Sequence, residues 1–407
     1  MTLVVQKYGG TSVADLERIR NVALRVKRQV EQGDRVTVVV SAMAGSTNQL
    51  VNWVHELDAA DYDTAEYDQV VASGEQVTIG LLAIALQTMG VPARSFLGWQ
   101  AGFRTDAAYG KARILDIDPT PIRTCLEAGK VAVVAGFQGM SPERRVTTLG
   151  RGGSDTSAVA LAAALNADRC DIFTDVDGVY TTDPRIVSKA RKLDRITYEE
   201  MLEMASLGAK VLQTRSVALA MQHRVRVQVL SSFADLPGTL VVDEGEIVES
   251  QIVSGIAYSR DEARVTVLGV RDRPGVAASI FGPLSDHGIN VDMIVQSVSR
   301  DGVYANLTFT VSRADLPRAL VVLERAKAEI GYEDLGADAD VCKVSVVGVG
   351  MRSHAGIAHM MFQTLAAKGI NIHAIATSEI KVSVLIGEEY TELALRALHS
   401  AYGLDKD

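Results

Sequence analysis

The chain has 407 residues, of which 47% are hydrophobic and 22% are charged, and its formal net charge is -9. This length and apolar content suffice for two or three globular domains, each with its own core, and exclude a disordered chain. The acidic balance argues against a nucleic-acid partner or an anionic membrane surface. Anionic substrates would therefore be attracted by a few locally placed cations.

The cysteine pattern and the apolar runs indicate a soluble, cytoplasmic protein. Cys125, Cys170 and Cys342 are far apart and form no CxxC pair, so neither a disulfide framework nor a zinc site is indicated. We expect buried thiols instead. The longest apolar stretches are too short for a membrane span, and Lys7 interrupts the N-terminus too early for a secretory signal.

The first part of the chain alternates between predicted strands and helices. Leu3 to Gln6 reads as a buried strand, and apolar residues then recur at helical spacing from Leu16 to Val30. Arg35 to Val40 is a second strand, and Ser41 to Asn48 is a small-residue loop before another helix.

The same alternation continues further along the chain. Val131 to Ala135 is a predicted strand, Arg151 to Asp155 leads into an Ala-rich helix, and the strand Cys170 to Phe173 leads into an acidic loop. Strands that alternate with helices predict an α/β fold with a mostly parallel sheet covered on both faces. Ligands bind such sheets at the carboxyl ends of the strands, where all these loops are expected.

A repeated unit fills the C-terminal third. The two copies are offset by 81 residues, and each combines a loop, a helix and a following strand. Such a small unit buries little surface alone, so pairing between copies or chains is expected. The acidic stretch Asp243 to Gln251 is the expected hinge. The identical pairs are Gly275/Gly356, Phe281/Phe362, Leu284/Leu365, Gly288/Gly369 and Asn290/Asn371.

Two glycine-rich loops are candidates for binding anions, although the chain has no Walker A motif. In Lys7-Tyr8-Gly9-Gly10, glycines let backbone N–H groups approach phosphate oxygens, and the lysine adds a point charge. In Arg151-Gly152-Gly153-Ser154-Asp155, the arginine can grip a carboxylate at a helix start. The alternatives are a tight turn with a surface lysine, and an aspartate placed there only by the helix dipole.

A third candidate is the acidic loop after the strand that ends near Phe173. Asp175 and Asp177 could hold Mg²⁺ through water, or they could only make turns, which is the favoured interpretation for Asp177 before Gly178. Lys210 lies in a segment that could start a helix, and a solvated lysine is the alternative there.

Taken together, these segments resemble the aspartate kinases. The motifs that carry the resemblance are KYGGTS, VVSAM, ASGE, GRGGSDT, FTDVDGVYTTDPR and the stretch Gly208 to Leu212, and the C-terminal repeats resemble tandem ACT domains. The resemblance implies an amino-acid kinase fold over residues 1–245 and two ferredoxin-like βαββαβ ACT domains, 264–335 and 343–407. A strand from 250–262 is expected to complete the second ACT domain.

The implied activity is transfer of the ATP γ-phosphate to the side-chain carboxylate of L-aspartate, which gives 4-phospho-L-aspartate for lysine, threonine and methionine biosynthesis. That carboxylate has a pKa of about 3.9, so it is already ionised and needs no general base. ATP and Mg²⁺ are the implied cofactors, with the metal held mainly through the phosphates. By resemblance, the catalytic residues are Lys7, Asp155 and Lys210, and the nucleotide-binding residues are Lys7, Gly9, Gly10, Thr174, Asp175, Tyr180, Arg185 and Lys210.

The resemblance also implies the substrate and effector sites. The aspartate-binding residues are Ser41, Thr47, Glu75, Arg151, Gly152, Gly153 and Ser154. Lysine, threonine or both are the expected effectors, and their site residues are Asp272, Ala277, Asn290, Gln296 and Asn371. A homo-oligomer, at least a dimer through the ACT domains, is expected, or pairing with a shorter ACT-only chain.

Two alternatives remain, one within the enzymes and one from a different functional class. Another amino-acid kinase, acting on acetylglutamate, uridylate or carbamate, would lack the tandem ACT tail and the GRGGSDT loop. An effector-binding protein with an inactive kinase domain would have lost Lys7, Arg151 or Asp155, and all three are present. The length leaves no room for a fused dehydrogenase.

Overall fold

The computed structural model of the chain describes residues 2–57, 62–207, 211–247 and 252–406. The chain forms two compact units. The first comprises Met1–Val179, Lys192–Ser206 and Lys210–Val248, and the second comprises Tyr180–Arg191, Leu207–Ala209 and Glu249–Asp407.

The first unit is built on an eight-stranded sheet with the order β10-β12-β11-β9-β1-β2-β6-β3. All its pairings are parallel except that of β11 with β12. A smaller sheet has the order β5-β4-β7-β8. The strands of this unit are β1 Leu3–Tyr8, β2 Arg35–Val40, β3 Ala93–Phe96, β4 Phe103–Thr105, β5 Ile114–Ile117, β6 Val131–Ala135, β7 Gln138–Met140, β8 Val146–Thr148, β9 Arg169–Thr174, β10 Arg195–Thr197, β11 Val227–Ser231 and β12 Thr239–Val242.

Helices cover this sheet, and β-branched residues fill its strands. Val38 and Val40 of β2 pack with Ile79, Leu82 and Leu86 in one buried cluster. The Asp15 carboxylate accepts a hydrogen bond from the Arg18 backbone N–H and so caps the first helix. The helices are α1 Leu16–Glu31, α2 Ser46–Leu57, α3 Thr64–Val71, α4 Ser73–Thr88, α5 Thr120–Glu127, α6 Gly153–Leu165, α7 Tyr198–Ser206 and α8 Thr214–His223.

The predicted α/β class is confirmed, and β2 and β6 have the predicted bounds. The loop after β2 is shorter than predicted. The helix begins at Ser46, inside the expected loop Ser41 to Asn48, because the Gln49 N–H already bonds to the Gly45 carbonyl. Thr47 therefore lies in the first turn of a helix. The predicted hinge is described only up to Ile247, and its remainder lies outside the described residues.

The second unit contains a six-stranded sheet with the order β14-β15-β13-β16-β18-β17. Its neighbouring strands are antiparallel. The strands are β13 Gly255–Arg271, β14 Asp292–Val298, β15 Tyr304–Val311, β16 Asp334–Val347, β17 Ala374–Thr377 and β18 Lys381–Gly387. The helices are α9 Val276–Asp286, α10 Leu316–Arg325, α11 Lys327–Ile330, α12 Ile357–Ala367 and α13 Thr391–Ala401.

The two sequence repeats share this one sheet. The first part of β13, from Gly255 to Ser259, pairs with Lys343 to Val347 of β16, and the later part of β13 pairs with β15. A buried Lys343 ammonium pairs with Glu262 at 2.6 Å and with Asp292 at 2.7 Å. Long strands and a shared ion-pair cluster therefore join the repeats.

The segment Tyr180–Arg191 belongs to the second unit, although it directly follows the acidic loop after β9. The Thr181 carbonyl accepts a hydrogen bond from the Ile256 N–H at 2.7 Å, and Arg191 Nε donates to the Leu404 carbonyl at 2.9 Å. Val187 joins the core that also contains Leu398. Backbone, side-chain and apolar contacts therefore tie this segment to the sheet of the repeats.

Candidate active site and effector cavity

The buried ion pair between Lys7 and Asp155 is the central feature of the first unit. Lys7 Nζ lies 2.5 Å from Asp155 Oδ1, and both side chains are only 11% exposed. Lys7 is near the carboxyl end of β1, and Asp155 is in the first turn of α6. The strand end and the helix start therefore bring together two residues that are 148 positions apart in the sequence.

Gly9 and Gly10 allow the loop after β1 to pass close to its neighbours. A Cβ atom on Gly10 would lie 3.0 Å from the Ala42 carbonyl oxygen, and one on Gly9 would lie 3.4 Å from Lys7 Nζ. Because β1 pairs in parallel with both β2 and β9, their carboxyl ends meet at this edge. The absence of a side chain at these two positions is what permits this close approach.

The loop that begins α6 is also held tightly. Gly152 adopts φ +69°, and a Cβ atom there would lie 2.0 Å from Gln213 Cγ. The following residues Gly153 and Ser154 are buried. Arg151 is exposed, and no hydrogen bond or ion pair joins it to any other described residue. Its guanidinium is therefore available to a carboxylate ligand.

Glu75 is a buried acid with one oxygen unused. Its side chain is on α4, the residue is 2% exposed, and Oε1 accepts a hydrogen bond of 3.0 Å from the Ala42 N–H. Oε2 has no hydrogen-bond partner among the described residues. Burial raises the pKa of Glu75 to about 7. An ammonium group is a partner that would satisfy this oxygen.

Ser41 and Thr47 follow β2 on the same loop as Ala42. Ser41 is half-buried, and its N–H donates to the Tyr8 carbonyl at 3.1 Å. Thr47 is also half-buried. The structure therefore brings the loop after β2 between the glycines of the first loop and Glu75.

The predicted nucleotide-binding residues fall into two groups. Thr174 ends β9 in the first unit and Asp175 directly follows it, and the Thr174 hydroxyl donates to the Asp175 carboxylate at 3.2 Å. Tyr180 and Arg185 belong to the second unit. Asp177, which was expected to make a turn, pairs with Lys192 at 3.2 Å. The predicted catalytic residue Lys210 lies outside the described residues.

A cavity of about 420 Å³ lies at the start of α9 in the second unit. Three predicted effector-site residues, Asp272, Ala277 and Gln296, are in its lining. Gly275 adopts φ +93° immediately before α9, so the first N–H groups of the helix are not blocked by a Cβ atom. Asn290 and Asn371 are exposed residues ahead of β14 and β17 and do not line this cavity.

Sequence reasoning missed several residues that support these loops. Asp68 and Arg215 both bond to the segment that leads to Arg151, and Asp183 binds Arg185. Asp68 and Arg215 lie on helices among other polar residues, where a solvated side chain is the usual interpretation. Only the periodicity of α3, which turns Asp68 toward the buried side with Ala65 and Val71, hints at burial.

Family models match three parts of the chain. The Amino acid kinase family model matches residues 2–231, and ACT domain models match residues 264–331 and 344–402. An aspartokinase from Pseudomonas aeruginosa is 56% identical over 407 residues, with 100% of this chain and 98% of the relative covered. The chain belongs to the aspartate kinase family. This membership confirms the resemblance, and with it the predictions of an ATP-dependent kinase and of an allosteric enzyme. It excludes the alternative amino-acid kinases.

Solved structures of aspartate kinases have the same fold. Escherichia coli aspartokinase III in complex with aspartate and ADP is 28% identical, with a TM-score of 0.81, and covers 98% of this chain and 99% of its own. The same relative in complex with lysine and aspartate has a TM-score of 0.75 with the same coverage. The predicted combination of an amino-acid kinase fold with two ACT domains is therefore confirmed.

Proposed function

We propose that this aspartate kinase transfers the phosphoryl group at the carboxyl edge of β1, β2 and β9, with Lys7 as the catalytic cation. The buried Lys7–Asp155 pair at 2.5 Å carries this proposal. The reaction brings a carboxylate against a phosphate of like charge, and positioning and cations must overcome that repulsion. Asp155 orients the Lys7 ammonium toward the transferring group, and the N–H groups of Gly9 and Gly10 stabilise developing charge.

Aspartate binds through its charged groups. Arg151 grips a carboxylate of the substrate with its guanidinium fork, and the unused Oε2 of Glu75 accepts the α-ammonium group. The proposed aspartate pocket is also lined by Ser41, Thr47 and the backbone of Gly152, Gly153 and Ser154. The complex of Escherichia coli aspartokinase III with aspartate and ADP supports a joint site for both substrates.

Nucleotide binding in this proposal involves five further residues: Thr174, Asp175, Tyr180, Arg185 and Lys210. Mg²⁺ is commonly bound by one or two carboxylates together with substrate phosphates and water. Asp155 and Asp175 are the acids that fit this role, since Asp155 adjoins the phosphate-binding lysine and Asp175 directly follows β9, the strand paired with β1. The ion would neutralise charge on the phosphates, while Lys7 and the glycine N–H groups hold the transferring group.

Regulation acts through the second unit in this proposal. The cavity before α9, with Asp272, Ala277 and Gln296, binds lysine or threonine, and Asn290 and Asn371 belong to effector sites completed by ACT pairing in a homo-oligomer. The lysine complex of the Escherichia coli relative supports an amino-acid effector. We retain the domain bounds 1–245, 264–335 and 343–407 as part of the proposal.

We also propose a cytoplasmic location. The helical stretch Thr64–Thr88 is long and apolar enough to cross a membrane, but half of its most apolar window is buried. Ile79, Leu82 and Leu86 from this stretch pack in the core of the first unit. The apolar character of the stretch is therefore accounted for by packing within the protein.

An assay with aspartate, ATP and hydroxylamine, which traps the acyl phosphate, tests the site assignment with Arg151→Lys. Lysine cannot form the two parallel bonds of a guanidinium fork, so the aspartate KM should rise at least tenfold while the ATP KM stays within twofold. Arg144→Lys, a change on a loop between β7 and β8, is the matched control. A rise in the ATP KM alone would show that the loop of Arg151 serves the nucleotide instead.

A further inference from the structure

Asp68 is a fully buried carboxylate that accepts four hydrogen bonds. It lies on α3 and is 0% exposed. The Gly110 N–H contacts both of its oxygens, at 3.0 and 2.9 Å, while the Thr148 N–H donates to Oδ2 at 2.7 Å and the Thr148 hydroxyl donates to Oδ1 at 2.6 Å. No cation is paired with Asp68 in the part of the chain that the structure describes. These hydrogen bonds, and not a paired cation, offset part of the cost of burying it, and burial still raises the pKa of Asp68 above its ordinary value.

The groups that bind Asp68 come from two chain segments that are themselves joined. The Ala112 N–H donates to the Thr148 carbonyl at 2.9 Å. Arg215 donates to the carbonyls of Leu149 and Ala112, each at 3.0 Å. An acidic and a basic side chain thus hold the same pair of segments, one through N–H groups and the other through carbonyls.

This arrangement connects the two proposed aspartate-binding groups. Thr148 is three residues before Arg151, and Asp68 is seven residues before Glu75, with α3 leading almost directly into α4. Asp68 is therefore bonded to the strand end that leads to the guanidinium and lies on the helical stretch that carries the carboxylate. We expect a displacement at Asp68 to change the distance between those two charged groups.

We propose that Asp68 is a positioning residue that sets the spacing between Arg151 and Glu75, and thereby the affinity for the amino-acid substrate. The inference rests on the proposed roles of those two residues. The carboxylate accepts hydrogen bonds without donating any, so every group that faces it must be a donor, which fixes the register of the strand end. An asparagine side chain has the same shape but cannot accept all of these hydrogen bonds. Its NH₂ group would face the Gly110 N–H, which contacts both oxygens of Asp68.

Asp68→Asn tests the inference in the full-length enzyme. The aspartate KM should rise about tenfold or more, while the ATP KM stays within twofold, because the nucleotide residues lie on other loops. Asp171→Asn is the matched control, since Asp171 is a buried aspartate of the same unit that bonds to Arg169. That control should lower the melting temperature without changing the aspartate KM.

A second pair of variants covers the case in which Asp68→Asn does not fold. Thr148→Val removes one of the four hydrogen bonds with little change in volume, and Thr148→Ser keeps it. The valine variant should raise the aspartate KM at least threefold, and the serine variant should leave it within twofold. An unchanged aspartate KM in folded Asp68→Asn or, failing that, in Thr148→Val overturns the inference, as does an equal rise in both KM values.

The Arg151→Lys result separates the two levels of the proposal. If Arg151→Lys raises the aspartate KM and Asp68→Asn does not, the positioning role is wrong and the site assignment stands. If Arg151→Lys leaves the aspartate KM unchanged, the site assignment itself fails, and the positioning role fails with it.

Discussion

The hydroxyl of Tyr258 donates a hydrogen bond of 3.2 Å to Oδ2 of Asp183. The same carboxylate binds the Arg185 guanidinium, with Nε at 3.0 Å and Nη2 at 2.8 Å. These bonds from Arg185 hold the pKa of Asp183 below its ordinary value. Because Tyr258 is part of β13, which joins the two repeats, the effector-sensing sheet is connected through Asp183 to a proposed nucleotide-binding arginine.

Tyr258→Phe should weaken ATP binding without affecting aspartate binding. Loss of one hydrogen bond of about 1 kcal/mol would raise the ATP KM roughly fivefold, since Asp183 would hold Arg185 less firmly. Steady-state kinetics with each substrate varied in turn measures this. Tyr332→Phe is the control, because the Tyr332 hydroxyl bonds to Glu324 elsewhere in the same unit. If Tyr258→Phe, Tyr332→Phe and the unchanged enzyme all have the same ATP KM, then Tyr258 does not support ATP binding through Asp183 and Arg185.

Lys7→Ala should lower turnover by two or more orders of magnitude while the protein stays folded. Removing a charge-stabilising donor from a water-excluded site typically costs about 3–4 kcal/mol of transition-state stabilisation. Turnover and circular dichroism would be measured on the same samples, with Lys130→Ala, a change at an exposed lysine, as the control. A Lys7→Ala enzyme that keeps more than about a tenth of its turnover would remove Lys7 from the mechanism.

The aspartate KM should depend on pH through Glu75, whose pKa burial raises to about 7. Only the ionised carboxylate attracts the substrate ammonium, so the KM should fall as pH rises from about 6 to about 8. Glu75→Gln should have a high KM that is independent of pH in this range. A wild-type KM with the same flat profile would show that Glu75 does not bind the ammonium group.

Glu75 should also make the stability of the free enzyme depend on pH. The folded state keeps the Glu75 proton up to about pH 7, whereas the unfolded chain loses it near 4.5. Between these two pKa values the folded state binds the proton and the unfolded chain does not. The free energy of unfolding therefore falls as pH rises from about 4.5 to about 7. Comparing the melting temperatures of the unchanged enzyme and Glu75→Gln between pH 5 and pH 8 measures it, and parallel curves would contradict the assignment.

Replacing Asp272 or Gln296 with alanine should relieve feedback inhibition with little change in basal activity. Both residues line the cavity before α9, and a typical coupling between an effector and an active site is about 1–3 kcal/mol. Inhibition curves with lysine and threonine, singly and together, would be compared with those of Asp340→Asn, an exposed control in the same unit. Full inhibition of both cavity variants would rule out this cavity as the effector site.

Local sequence patterns determined much of the architecture. The β-branched runs of β2 and β6 predicted both strands with their observed bounds, because such residues fit a pleated, buried surface irrespective of distant partners. Glycines beside a charged residue predicted the loops after β1 and before α6. The 81-residue repeat predicted two related units, since repetition is visible without any knowledge of packing.

Only the tertiary structure decided which of these features meet. The Lys7–Asp155 contact and the four bonds to Asp68 join residues far apart in the chain, and such choices depend on how strands and helices pack. Likewise, Tyr180–Arg191 lies in sequence between two parts of the first unit but packs with the second. A short pattern records the preference of a segment for helix, strand or turn, whereas its distant partner is selected by the free energy of the whole packed unit.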